Sequence, residues 1–263
     1  MADSSSPVPG GSTAGVRSEV HGGVAHIVLA RPDVSNAIDI AAATQFGDAI
    51  DVAADESVRV VLVRGEGSRF CAGGDVRSML ASNDRAEYLR ALASTLGENL
   101  YRLSCLDKPV VAAVHGAVAG AGLGFVLAAD VTVAARSTKF VMAYSGIGLT
   151  PDCGVSYLLP RAIGQQRALE FALTNRTLSA DTACDWGLVA EVTDDDELAA
   201  RADAITATMA EAPPYALGQA RRLIRDSFAT SRSESLAAEA ETISRAVTTP
   251  AAVELIDRFA KRA

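Results

Sequence analysis

One carboxylate, Asp152, stands between Pro151 and a run of small residues in "LTPDCGVSYLLPR" (149–161), a stretch with no other charge before Arg161. Two readings are open on these residues. Asp is a favoured N-cap, so the carboxylate could accept an N–H from a helix beginning in "GVSYLLPR". A lone acid among apolar residues also suits proton transfer in a site, a rarer use of a carboxylate than capping.

Two glycine-rich turns offer a second kind of chemistry. "RFCAGGDV" (69–76) places two glycines before Asp75, and "HGAVAGAGLG" (115–124) repeats the pattern of strand, glycines and helix. Glycines let the backbone turn sharply and approach a ligand, and helix starts present free N–H groups. A tight turn capped by Asp75 explains the first stretch equally well. The second is no dinucleotide fingerprint, because Gly120 and Gly122 are followed by Phe125 where a third glycine would stand, and no phosphate-binding lysine follows. Two such turns converging on one oxygen would make an oxyanion hole.

These stretches need a frame. "VAHIVLARP" (24–32), "SVRVVLVRG" (57–65) and "KPVVAAVHG" (108–116) predict strands, and "VTVAARSTKFVMA" (131–143) predicts two short ones. Helical patterns lie between them, including an amphipathic helix in "DRAEYLRALASTLGENLYRL" (84–103). This alternation, an α/β pattern, runs to about Val192. The acidic "TDDDE" (193–197) then reads as a helix start whose aspartates cap a solvated turn, and the remainder is helical. Leu217, Leu223, Ile224 and Phe228 give that region more apolar surface than one exposed layer needs, so it should pack on the core or on another subunit.

Composition narrows the class. The chain has 263 residues, 49% of them hydrophobic, and a formal net charge of −8. That permits a large buried core and argues against a nucleic-acid surface. Four separated cysteines and three histidines form no metal-spaced set, so no metal site is expected and the thiols should be reduced. "MADSSSPVPGGSTAG" lacks the features of a signal peptide and reads as a disordered leader. With no membrane-length apolar run, a cytoplasmic protein is expected.

The order and spacing of "RPDVSNAI", "FCAGGDV", "HGAVAGAGLGFVLAAD", "KFVMAYSGIGLTPDCGVSYLLPR", "LSADTACDWGLV" and "DRFAKR" resemble the enoyl-CoA hydratase/isomerase (crotonase) superfamily, from about Val20 to the C-terminus. Within it, the region from "AARSTKFVMAYS" onward is most similar to the ring-epoxide/enoyl-CoA isomerases of phenylacetate degradation. The resemblance implies an α/β superhelix of repeated ββα units with a C-terminal helical trimerisation region. It implies a leader over 1–16, a core over 17–192 that binds and transforms a CoA thioester, and an oligomerisation region over 193–263. A homotrimer or dimer of trimers follows, with no cofactor beyond the substrate's CoA.

By motif position, the resemblance assigns the oxyanion N–H groups to Gly74 and Ala121 and the catalytic acid to Asp152. It lines the CoA with Cys71, Ala72, Asp75 and Arg77, and brings Phe259 and Lys261, or Arg262 in place of Lys261, from the C-terminal region. Met79 and Leu80 fall where the acyl pocket is lined, although such a pair is equally ordinary core. Hydratases of this family use two glutamates, and here those places hold Gly124 and Tyr144, which are therefore pocket positions without water-holding acids. Tyr144 could bond the acyl group or simply pack, and packing is the reading preferred.

One acid suffices for a double-bond shift: it takes a proton at one carbon and returns it two carbons away while N–H groups hold the enolate. Ile147, Leu149 and Leu158, if turned to the site, would give that acid apolar surroundings. The expected activity is therefore enoyl-CoA or ring-epoxide isomerisation. An enoyl-CoA hydratase and a non-catalytic acyl-CoA binder are the rivals.

Overall fold

The computed structural model describes residues 15–262. The leader expected over 1–16 lies outside them except at its end, and there the expectation fails. The Gly15 carbonyl accepts the Ala30 N–H at 2.9 Å, and Val16 is buried opposite Leu29. Val16 opens strand β1 (Val16–His21), which pairs antiparallel with β2 (Val24–Leu29). Apart from Val16, β1 is exposed, so it carries no alternating apolar signal in the sequence.

Helix α1 (Ile40–Ala54) follows β2, capped by Asp39 on the Ala42 N–H, and leads to β3 (Val60–Gly65). Short α2 (Val76–Ala81) and long α3 (Arg85–Cys105), capped by Asp84, precede β4 (Val110–Val114). The chain then repeats a unit. Strand β4, strand β5 (Ala117–Ala119) and helix α4 (Gly122–Ala128) are followed by β6 (Val131–Ala135), β7 (Lys139–Val141) and, after the 149–154 turn, α5 (Val155–Ile163). Helix α6 (Gln165–Thr174), β8 (Thr177–Ser179), α7 (Ala180–Trp186) and β9 (Glu191–Thr193) complete the alternating part.

The first strand of each repeat joins a six-stranded sheet of order β1-β2-β3-β4-β6-β9, parallel except at β1. The second joins a three-stranded sheet, β5-β7-β8. Alternation along the central strands feeds two cores. Val61, Val63, Ala112 and Val114 meet the face of α1 and α3, whereas Val60, Leu62, Val111 and Ala113 face the other way.

That second face corrects the domain expectation. Helix α8 (Leu198–Glu211) lays Leu198, Ala202 and Ala210 on it, so α8 belongs to the core and not to a separable oligomerisation region. Nor do the "TDDDE" aspartates cap α8. Asp194 pairs with Arg136 and Asp195 accepts the Ser137 N–H, tying β9 to the β6–β7 turn. Helix α9 (Pro214–Asp226) is fastened through buried Arg221, which reaches Asp130 at 2.6 Å and the Ser104 carbonyl at 2.8 Å. Ile224 on α9, Phe228 just beyond it, and Leu236, Ile243, Leu255 and Ile256 on α10 (Arg232–Ala246) and α11 (Pro250–Ala260) are exposed. Among the described residues no helix is long and apolar enough to cross a membrane.

Candidate active site

Both glycine-rich turns end on one cavity. Ile38 donates to the Gly73 carbonyl and accepts from the Asp75 N–H, both at 2.8 Å, so it brackets Gly74 and leaves the Gly74 N–H facing away from it. Across the cavity, Gly120 donates to the Val141 carbonyl, while the next N–H, that of Ala121, is left for the cavity. Among the described residues neither the Gly74 nor the Ala121 N–H meets an acceptor, and both residues line the same space of about 100 Å³. Glycine suits both turns: Gly73 has φ +99° and Gly120 has φ +52°.

Asp152 lines this cavity with Met79, Leu89, Leu92, Ile147 and Leu149. Its carboxylate does not cap α5, contrary to the first of the two sequence readings. The turn into the helix runs through Cys153 (φ +53°) and Gly154 (φ +75°), Gly154 is the cap residue, and only the Asp152 backbone carbonyl bonds the first turn, to the Val155 N–H at 2.9 Å. The side chain is thereby released from the helix. Its Oδ1 accepts the Tyr144 phenol O–H at 2.7 Å.

Tyr144 thus does more than pack, and it bonds an acid instead of an acyl group. Burial first, and then the adjacent negative charge of Asp152, push its phenol well above the usual range. The phenol therefore stays protonated and remains a donor. Cys153 turns its thiol inward, where burial and the same carboxylate push it up as well.

Other expected residues divide. Ala72 and Asp75 border the cavity. Asp75 caps α2 through the Arg77 and Ser78 N–H groups and pairs with Arg31 at 3.1 Å. Burial opposes its charge, but the Ser78 N–H and the Arg31 guanidinium outweigh it and hold the carboxyl below the usual range. Cys71 is fully buried, with both backbone groups spent on β5 through Ala117 and Ala119, so it supports the turn and offers a cofactor nothing. Arg77 and Leu80 are exposed on α2 outside the cavity lining. Phe259 and Lys261 sit on the open surface of the C-terminal helix.

Gly124 is a correction. A Cβ there would stand 2.9 Å from Leu100 Cδ1 and 3.1 Å from Cys153 Cβ, so the position faces the packing of α4 on its neighbours and not the cavity. Leu158 also turns away, toward a cleft beside α9, while Ile147 and Leu149 face the site as expected. Three supports are not read from the sequence. Arg31 joins Asp39 and Asp75, Asn36 holds the Glu66 and Arg69 carbonyls behind the first glycine turn, and Asn175 accepts the Ala143 N–H at 2.8 Å. Arg31 and Asn36 stand within "RPDVSNAI", whose order was visible although their contacts were not.

The enoyl-CoA hydratase/isomerase family profile matches residues 19–262. The 1,2-epoxyphenylacetyl-CoA isomerase of Escherichia coli K12 is 39% identical over 80% of this chain and 81% of its own length. A trans-2-decenoyl-[acyl-carrier-protein] isomerase of Streptococcus mutans is 37% identical over 68% of this chain and 69% of its own. The crystal structure of an enoyl-CoA hydratase from Polaromonas superposes with a TM-score of 0.89 at 30% identity, covering 94% of this chain and 97% of that one.

Proposed function

Because the chain belongs to the enoyl-CoA hydratase/isomerase family, we propose that it isomerises a CoA thioester, moving one proton between two carbons with Asp152 as acid and base. One observation carries the reading. Two N–H groups without acceptors and a carboxylate not engaged by a cation border the same cavity, whose other carboxylate, Asp75, is bound by Arg31.

With a 3-enoyl-CoA, Asp152 takes a proton from C2, between the thioester and the double bond. The electron pair passes through the conjugated system to the thioester oxygen, where the Gly74 and Ala121 N–H groups stabilise the negative charge. Asp152 then returns the proton to C4, and the double bond moves from C3–C4 to C2–C3. Atoms and charge balance without water. No cofactor beyond the substrate's CoA takes part, and that CoA runs along Ala72, Asp75 and Arg77, with Phe259 and Lys261 reaching it from the C-terminal helix. A ring-epoxide thioester is the second substrate class, favoured by the likeness to the E. coli relative.

Water addition is disfavoured because the two positions that would hold water-binding glutamates carry Gly124, turned into packing, and Tyr144, already bonded to Asp152. Incubation with 3-hexenoyl-CoA and 2-hexenoyl-CoA in deuterated water tests the reading. Deuterium at C2 and C4 with interconversion of the two thioesters is expected. A 3-hydroxy product would mean a hydratase, and tight binding without exchange would mean a binder.

A further inference from the structure

Tyr144 and Asp152 are each flanked by a residue in a backbone conformation that its type disfavours. Ala143, before Tyr144, has φ +63°, and the Tyr144 N–H donates to the Met142 carbonyl at 2.8 Å, closing a γ-turn of the rare, strained hand. Cys153, after Asp152, has φ +53°. Neither alanine nor cysteine favours this region, and such a residue persists only where the surroundings enforce it.

The surroundings do enforce it. Asn175 ends α6 in the left-handed conformation (φ +49°), and its Oδ1 accepts the Ala143 N–H at 2.8 Å. Gly146 lets it come close, since a Cβ there would stand 2.9 Å from Asn175 Nδ2. The Tyr144 carbonyl accepts the Leu149 N–H at 2.9 Å, closing the loop that leads to Asp152. The strain therefore falls on the two joints that aim the phenol and the carboxylate at each other.

We propose that Tyr144 is the positioning residue of the Asp152 acid/base, holding Oδ1 by its O–H so that Oδ2 alone exchanges the proton with substrate carbon. The proposal rests on the isomerase reading above. It explains how one carboxylate serves two carbons: a single oxygen, fixed in direction, takes and returns the proton on one face of the acyl group. The other titratable groups near the pair are Cys153, whose buried thiol lies beside the Asp152 carboxylate, and Asp75 across the cavity, paired with Arg31.

Tyr144→Phe removes the O–H and keeps the ring. Loss of the donor to Oδ1 should move the 13C NMR resonance of the Asp152 carboxyl carbon, assigned with Asp152→Asn and read at one fixed pH for all variants. On 3-hexenoyl-CoA kcat should fall about tenfold while KM stays within about twofold. Ala143→Gly is the second variant, since glycine accepts φ +63° and the fold is kept. It should move the same resonance in the same direction by less, because glycine widens the backbone freedom at the joint and loosens the phenol. Movement of the NMR resonance sustains the positioning role whether or not hexenoyl-CoA turns over, and absence of turnover in the parent protein counts against the isomerase reading alone. A folded Tyr144→Phe protein whose Asp152 carboxyl carbon resonates where the parent's does overturns the proposal.

Discussion

The Tyr144 O–H lies 2.7 Å from Asp152 Oδ1, and the carboxylate makes no bond to the helix that begins three residues after it. The acid is therefore oriented by a side chain eight positions earlier, across a loop, and not by its own helix. Asn175 secures that loop from the other side.

Asn175→Ala should loosen this arrangement. Losing the acceptor of the Ala143 N–H should cost about 1 kcal/mol of stability. Activity should fall several-fold with KM little changed, because the residue acts through Tyr144. Urea denaturation and steady-state kinetics on one preparation check both.

Gly124→Glu should not create a hydratase. The added Cβ would press on Leu100 and Cys153, and its carboxylate would enter packing without a partner. Overpacking and an unpaired buried charge together should destabilise by about 3 kcal/mol or more. Hydration of 2-hexenoyl-CoA should stay at the level of the parent protein, and a strong gain would mean that position 124 reaches the substrate after all.

Stability should fall at alkaline pH. Full burial pushes the Cys71 thiol from 9.0 up to about 12. Below about pH 9 folded and unfolded chains both keep this proton, so the contribution is fully present. Between 9 and 12 only the folded chain keeps it, and stability is lost at up to about 1.4 kcal/mol per pH unit for this group. Burial of Cys153 and Tyr144 acts with the same sign. Denaturation midpoints at pH 8 and 10.5 should show the fall, and Cys71→Ala should reduce its slope by one group's share.

Assembly should depend on α10 and α11. Ile243 and Ile256 stand exposed on them, and we expect a trimer or dimer of trimers by light scattering. Ile243→Glu combined with Ile256→Glu should disperse it while leaving the sheet core folded by circular dichroism. A parent protein that is monomeric at micromolar concentration contradicts this.

Much of this architecture was legible because strongly patterned segments announce themselves. The valine runs of β3 and β4, the amphipathic spacing of α3 and the glycine turns at Gly73 and Gly120 follow from residue type and spacing. What escaped depended on partners distant in sequence. Leu198, Ala202 and Ala210 mark an apolar helix face but not the sheet it covers. The cap reading of Asp152 failed because the left-handed turn at Cys153, a residue type that rarely adopts it, moves the helix start to Gly154. The Tyr144 contact was hidden for the same reason, since nothing in "MAYS" signals a positive φ at Ala143.

The most direct test is turnover of 3-hexenoyl-CoA by Asp152→Asn, measured beside thioester affinity and melting temperature. Asn keeps the size of the side chain and can still bond Tyr144, but it cannot carry the proton. Isomerisation and exchange at C2 and C4 should fall by at least about a thousandfold, with affinity and melting temperature nearly unchanged. Turnover within a few-fold of the parent protein would show that another group moves the proton and would contradict the account.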